Sequence, residues 1–252
     1  MVVCLAAGND GRHPTQKAHI GAQAGAKNCI TISACVNKRP CVKDNDYDGE
    51  RYDPTSKMIG SPERIAAFSS TGPTGEDRIK PDVVAPGTMI LSACSSKIHT
   101  LDEKAGASKD KGWRFENGTS MATPLVSGCV AILRQVLTEK GMSNPSAALI
   151  KAMIINGAVD IKQPVAKQDF GRVDLANSII VPGAITNKDY WENGVSKDGT
   201  VILTFPLSKY TKSLGVATTA ATNLPLVTLK ATMVYMDMAG AELQNNLNLR
   251  VT

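Results

Sequence analysis

Two stretches near the start of the chain limit its architecture more than anything that follows. Residues 2–7, VVCLAA, are an unbroken apolar run that ends in Gly8-Asn9-Asp10-Gly11. Residues 29–36, CITISACV, are a second run, rich in β-branched side chains. Successive side chains of a strand point to opposite faces, so a strand with one wet face alternates apolar with polar residues. An unbroken apolar run such as residues 2–7 instead predicts a strand covered on both faces, the usual situation in a parallel sheet. The connection between the runs, residues 8–28, exceeds the roughly one dozen residues that a parallel crossover needs. An α/β fold with a parallel sheet is therefore expected.

Helical signals follow. Residues 121–137 place Leu125, Val126, Cys129, Val130, Leu133, Val136 and Leu137 at the spacing of a helix with one buried face, and Pro124 falls in the first turn, where proline is tolerated. Gly128 costs such a helix about 1 kcal/mol against alanine and predicts the close approach of another backbone. A second helix is expected from Asn144 as cap and Pro145 as first helical residue to a stop at Asn156-Gly157. Residues 38–61 are polar and read as a loop or insertion; residues 81–87, PDVVAPG, read as short punctuated strands; residues 95–112 are again polar. Beyond residue 183 the character changes. Residues 201–205, 227–235 and 247–251 are β-type runs with no helical period between them. The expected division is an α/β domain at residues 1–183 and a partial all-β domain at residues 184–252.

The bulk properties narrow the function. The chain has 252 residues, enough for one large core or a main domain with a smaller one. Its net charge of +5 comes from 28 basic and 23 acidic residues spread along the sequence, without the basic stripe that a nucleic-acid backbone requires, which argues against nucleic acid as a partner. No apolar run is read as reaching the roughly 18 residues of a membrane span, and the first residues lack the basic start of a signal peptide. Six cysteines are too sparse for a disulfide scaffold and lack paired zinc spacing. Cys35 and Cys41 flank a short polar loop, where a bridge and two free thiols are both open readings.

Chemistry concentrates in residues 115–124, FENGTSMATP. Ser120 stands at the start of the predicted helix, so its hydroxyl and backbone N–H lie at the positive end of a helix dipole, where an oxyanion on an attacked carbonyl would be stabilised. On spacing alone a serine in this place serves equally well as a helix cap.

Several blocks in order decide between those readings. NGTSMATPLVSGCVAIL (residues 117–133) resembles the nucleophile motif of subtilisin-like serine proteases, the subtilases. VVCLAAGNDG (2–11) resembles the strand that ends in that family's oxyanion-hole asparagine, GAKNCITISA (25–34) its following core strand, and FSSTGPTGEDRIKPDVVAPG (68–87) the segment leading to the nucleophile. NPSAALIKAMIINGAVDI and DFGRVDLANSI resemble the branch that carries a C-terminal β-sandwich, or jelly-roll, domain. The resemblance implies an α/β fold with a subtilisin-like parallel sheet flanked by helices, incomplete at its N-terminal side and followed by a partial all-β domain. It implies a serine endopeptidase that cleaves polypeptides through an acyl-enzyme on Ser120. Asn9 matches the side-chain donor of the oxyanion hole, and Ala6, Ala7 and Gly8 match the strand that lines the substrate pocket. A secreted or endomembrane-lumen location is the one the resemblance favours.

The departure from the family pattern is as informative. Subtilases place an Asp motif and a His-Gly-Thr type motif ahead of the serine. Both belong upstream of the strand at residues 2–7, and His13, His19 and His99 are followed by Pro, Ile and Thr. The reading is that the catalytic Asp and His lie outside these 252 residues, that this chain is inactive alone, and that the missing N-terminal catalytic segment acts in cis or from another chain. Apolar surface and an unpaired sheet edge would then be exposed, and poor solubility follows. The competing reading is a pseudoprotease or peptide-binding module that keeps the cleft without chemistry. No cofactor is expected for the chemistry and no metal-ligating residue is assigned. Residues 44–55, DNDYDGERYDPT, match the first half of a calcium loop but carry Thr55 in place of the closing Glu, so a structural calcium is an alternative to a solvated acidic loop.

Overall fold

The computed structural model describes residues 1–12, 20–38, 60–95, 97, 112–180, 189–192, 194, 199–204, 229–240, 243–245 and 247–250. The three histidines, Cys41 and the acidic loop at 44–55 lie outside the described residues.

Strands β1 (Cys4–Ala6), β2 (Ile30–Cys35) and β3 (Val83–Pro86) form a parallel sheet in the order β1-β2-β3. Cys4 pairs with Ile30, and Ile32 with Val83. All six residues of β2 are buried, including Thr31 and Ser33 on one face, whose hydroxyls donate to the carbonyls of Ala24 and Ser70 at 2.6 and 3.1 Å. β1 departs from the expectation of two covered faces: its residues are half-buried, because β1 forms an edge of the sheet among the described residues. A second, antiparallel pair, β4 (Ile90–Ala93) and β5 (Trp113–Glu116), was not foreseen. Its strands are short and only Phe115 of β5 is fully buried, so they leave little apolar pattern beside the polar stretch they enclose.

Helix α1 (Thr119–Glu139) packs on β1, β2 and β3 and buries Ala122, Val126, Val130, Leu133 and Leu137, the stripe that the sequence spacing predicts. By length and composition alone α1 would pass for a membrane-crossing helix, which corrects the reading that no run is long enough. Its apolar stripe is committed to the sheet, as in the core helix of a globular domain. Gly128 is also corrected: nothing described lies within 4 Å of a Cβ built there, and the residue is exposed beside Leu125 and Ile132, which are 42% and 43% accessible. Helix α2 (Ala147–Gly157) stops where expected but starts later. Its cap is Ser146 rather than Asn144: Ser146 is extended, and its Oγ accepts the Leu149 N–H at 2.9 Å. Two short helices, α3 (Val165–Gln168) and α4 (Leu175–Ser178), follow, and α4 packs on α2.

Beyond residue 188 no described residue is in a strand. Parts of these segments, at residue 190 and residues 230–237, lie against the α/β body. Tyr190 and Val234 pack on its core. The Lys230 ammonium donates to the carbonyls of Ile155, Asn156 and Ala158 at the end of α2, at 3.3, 2.6 and 3.1 Å, where a helix dipole favours a cation. Asp237 pairs with Lys27 at 2.7 Å, and its backbone exchanges two hydrogen bonds with the Asn28 carboxamide.

Candidate active site

The site is assembled where the parallel strands end, the usual location for ligands in sheets of this kind. Ala7, fully buried, donates its N–H to the Ile32 carbonyl at 2.9 Å and so keeps the chain in the sheet to its last residue. Gly8 then turns with φ +113°, a left-handed value that favours glycine. Asn9, next in the turn, is exposed. Three bonds from residues 68–70 hold the turn: Ser70 N–H to the Gly8 carbonyl (2.9 Å), Asp10 N–H to Ser70 Oγ (3.1 Å) and Gly11 N–H to the Phe68 carbonyl (2.9 Å).

A second line of contacts seats the start of α1. After β3, Gly87 donates to the Cys35 carbonyl and accepts the Gly118 N–H at 2.8 Å. A Cβ at Gly87 would stand 2.5 Å from Ala34 Cβ and 2.8 Å from the Gly118 carbonyl oxygen, so only glycine lets the helix start approach this closely. Asn117 Oδ1 accepts the Met89 N–H at 2.7 Å from the other side.

The two lines meet at Thr119. Its backbone N–H and its hydroxyl both donate to Asn9 Oδ1, each at 3.0 Å, and its Oγ1 accepts the Gly8 N–H at 3.2 Å. Gly118, the residue at the cap position, has no side chain to offer, and Asn9 supplies the capping acceptor from across the site. With Oδ1 engaged twice, the Nδ2 end of the carboxamide is the end left to donate. The Ser120 N–H belongs to the first turn of α1, where backbone N–H groups have no intrahelical acceptor. The point where a Cβ on Gly118 would stand lies 3.5 Å from Asn9 Nδ2, 3.5 Å from Met121 Sδ and 3.6 Å from Ser120 N, so both donors, with the Met121 thioether, border one small volume. The Ser120 residue is exposed.

The structure thus brings Asn9 and Ser120 to one corner, with Ala6, Ala7 and Gly8 on the strand leading into it. Sequence reasoning passed over Thr119 and the Ser69-Ser70 pair. The signals were present: a threonine directly before the serine, and two adjacent serines in a segment otherwise read as a lead-in. Among the described residues no group of three His, Cys, Asp or Glu side chains is placed to hold a metal ion. Cys35 is a free buried thiol, pushed up to about 12 mainly by desolvation.

The family model of the subtilases, Peptidase_S8, matches residues 1–174. The chain belongs to the subtilase family. The match takes in the parallel sheet, α1 and α2, so the fold is a subtilase α/β sheet flanked by helices. Among curated subtilase relatives, it is similar to the serine protease/ABC transporter B family protein tagD of Dictyostelium discoideum, at 42% identity over 106 residues, covering 37% of this chain and 6% of that protein. It is similar to pyrolysin of Pyrococcus furiosus, at 33% identity over 189 residues, covering 71% of this chain and 12% of pyrolysin. It is similar to serine protease AprX of Bacillus subtilis, at 32% identity over 136 residues, covering 54% of this chain and 26% of AprX. The chain therefore spans about a quarter or less of the length of these three relatives. Among solved structures, the prenylagaramide maturation protease PagA matches with a TM-score of 0.45 and 20% identity, covering 71% of this chain and 50% of PagA.

Proposed function

We propose that this chain carries the nucleophile and the oxyanion hole of a subtilisin-like serine endopeptidase. Ser120 Oγ would attack the carbonyl of a peptide bond, forming a C–O bond; a histidine would take the Ser120 proton and pass it to the leaving amine as the C–N bond breaks; water would then hydrolyse the acyl-enzyme. Asn9 Nδ2 and the Ser120 N–H would stabilise the oxyanion, and Ala6, Ala7 and Gly8 would line the pocket for the residue before the cleaved bond. The observation that carries this reading is the doubly engaged Asn9 Oδ1, which turns a neutral donor toward the volume bordered by Ser120 N. A neutral amide fixed before the reaction stabilises developing charge without a titration or a reorganisation step.

The histidine and its orienting aspartate are assigned to an upstream segment, in cis or from another chain, without which these 252 residues are inactive. The edge position of β1 among the described residues and the accessible Leu125 and Ile132 of α1 support a surface that such a segment would cover. Residues 184–252 are proposed as part of a β-sandwich domain, and a secreted or endomembrane-lumen location and a structural calcium are proposed with the family assignment.

A fluorophosphonate probe tests the reading on the full-length protein. Labelling should be stoichiometric and should vanish in Ser120→Ala. Labelling that survives the substitution refutes the nucleophile assignment, and a full-length protein that never labels favours the pseudoprotease.

A further inference from the structure

We propose that Ser70 is a positioning residue for Asn9, holding the backbone on both sides of the amide donor. The inference rests on the reading of Asn9 given above and adds the element that aims it. An oxyanion donor is effective only if it is fixed where charge develops. Asn9 is poorly placed for that by its own chain: it is exposed and follows a left-handed glycine. Thr119 fixes the end of its carboxamide. Its backbone needs a separate anchor.

Ser70 fits that part. It is completely buried. Its N–H donates to the carbonyl of Gly8, the residue before Asn9, and its Oγ accepts from the N–H of Asp10, the residue after it. One residue thus brackets Asn9 with two hydrogen bonds, 2.9 and 3.1 Å long. Ser70 is itself tied to the sheet, since its carbonyl accepts the Ser33 hydroxyl at 3.1 Å, and the adjacent Ser69 Oγ accepts the Ala34 N–H at 2.9 Å. The rigidity of β2 is carried through the serine pair to the turn. The hydrogen bonds of Ser70 go to Gly8, Asp10 and Ser33, so the effect proposed for it on the reaction passes through Asn9. Alanine at this position keeps the backbone bond to Gly8 and loses only the acceptor for Asp10.

The test separates positioning from mere stability. In the full-length protein, Ser70→Ala should speed hydrogen exchange of the Asp10 amide by about tenfold and shift the Asn9 side-chain amide resonances, with the amides of Ile32 and Val84 unchanged. An equal acceleration at all these amides, or none at Asp10, overturns the proposal. In the full-length protease the same variant should lower kcat by about tenfold with KM unchanged. Ser70→Cys, close in size with a weaker acceptor, should fall between wild type and alanine, and it serves if the alanine variant fails to fold. In an Asn9→Ala background Ser70→Ala should cost nothing further, because the residue it positions is gone. Losses that add in the double variant overturn the proposal and leave the reading of Asn9 intact. An Asn9→Ala enzyme with unchanged kcat overturns the reading of Asn9 itself.

Discussion

Where the strands leave the sheet, Asn9, Thr119, Ser69 and Ser70 are joined by hydrogen bonds between uncharged groups. Where they enter it, four charged side chains crowd together. Lys80 and Lys151 grip the two oxygens of Asp82 at 2.6 and 2.9 Å, Asp82 also accepts the Thr31 N–H at 2.7 Å, and the carbonyl of Cys29 accepts from Lys151 at 2.8 Å. Asp169 lies close enough to feel the charges of Asp82 and both lysines. The contrast follows from what each end has to do. Fixed charges at the exposed end would bind counter-ions and titrate, whereas amide and hydroxyl groups keep one polarity at every pH. At the buried end charges tie β2, β3 and α2 together, and Asp82 is tolerable there because it is paired with both lysines and accepts the Thr31 N–H.

Removing the centre of the charged end is the hardest test of this division. Asp82→Ala would leave the Lys80 and Lys151 ammonium groups buried without their carboxylate, and losing one partner of a buried pair costs about 3–5 kcal/mol. Urea denaturation should show a loss of that size. A cost below about 1 kcal/mol would mean that water reaches the lysines and that the two ends do not differ in kind. At the neutral end the corresponding change is Thr119→Val, which keeps the shape and removes the hydroxyl that donates to Asn9 and accepts from Gly8. The expected loss is about 1 kcal/mol, the usual worth of neutral hydrogen bonds beside solvent. Its larger effect should be on the Asn9 side-chain amide, whose NMR signals should lose their fixed environment. A stability loss as large as that of Asp82→Ala would erase the comparison.

The two ends also differed in how far the sequence revealed them. The sheet was legible because residues 2–7 are an unbroken apolar run and residues 29–36 are rich in β-branched side chains, the pattern of two successive buried strands. α1 was legible by spacing, and the order of several motifs singled out Ser120 and Asn9 as candidates, which the fold brings to one corner. What the motifs left out were the supports: Thr119, Ser69 and Ser70 act through single hydrogen bonds to residues far away in sequence, and no periodicity marks such a partner. The charged cluster was hidden for the same reason. Lys80, Asp82, Lys151 and Asp169 are scattered over three segments, each looking like an ordinary surface residue until the fold brings them together around the buried Lys80 and Asp82. The cap of α2 was misread by two residues because Asn-Pro and Pro-Ser both offer a start, and only the Ser146 Oγ contact chooses. Gly128 was read as a contact site, yet nothing described approaches it.

A third experiment reads the charged end through pH. Burial, and next the neighbouring Asp82 charge, push the Asp169 carboxyl up to about 7, against the opposing pull of Lys151 and Lys80. Its ordinary value is 3.8. Between these values the folded chain holds a proton that the unfolded chain has released, so the unfolded state binds fewer protons and stability must fall as pH rises. The fall should begin near the ordinary carboxylate value and level off above about 7, the reverse of the usual carboxylate that is stabilised by ionising. Asp169 is only half-buried, so solvent screening keeps the slope shallow, smaller than the effect of either preceding substitution. Asp169→Asn, which mimics the protonated form, should flatten the profile of Tm against pH across that window and raise Tm at neutral pH. The hydroxyl and amide groups of Asn9, Thr119, Ser69 and Ser70, being neutral, should contribute no slope, and Thr119→Val should leave the shape of the profile unchanged. An Asp169→Asn profile that still falls between pH 4 and 7 would assign the proton to another member of the cluster, and a Thr119→Val profile of altered shape would show that the two ends of the sheet are coupled.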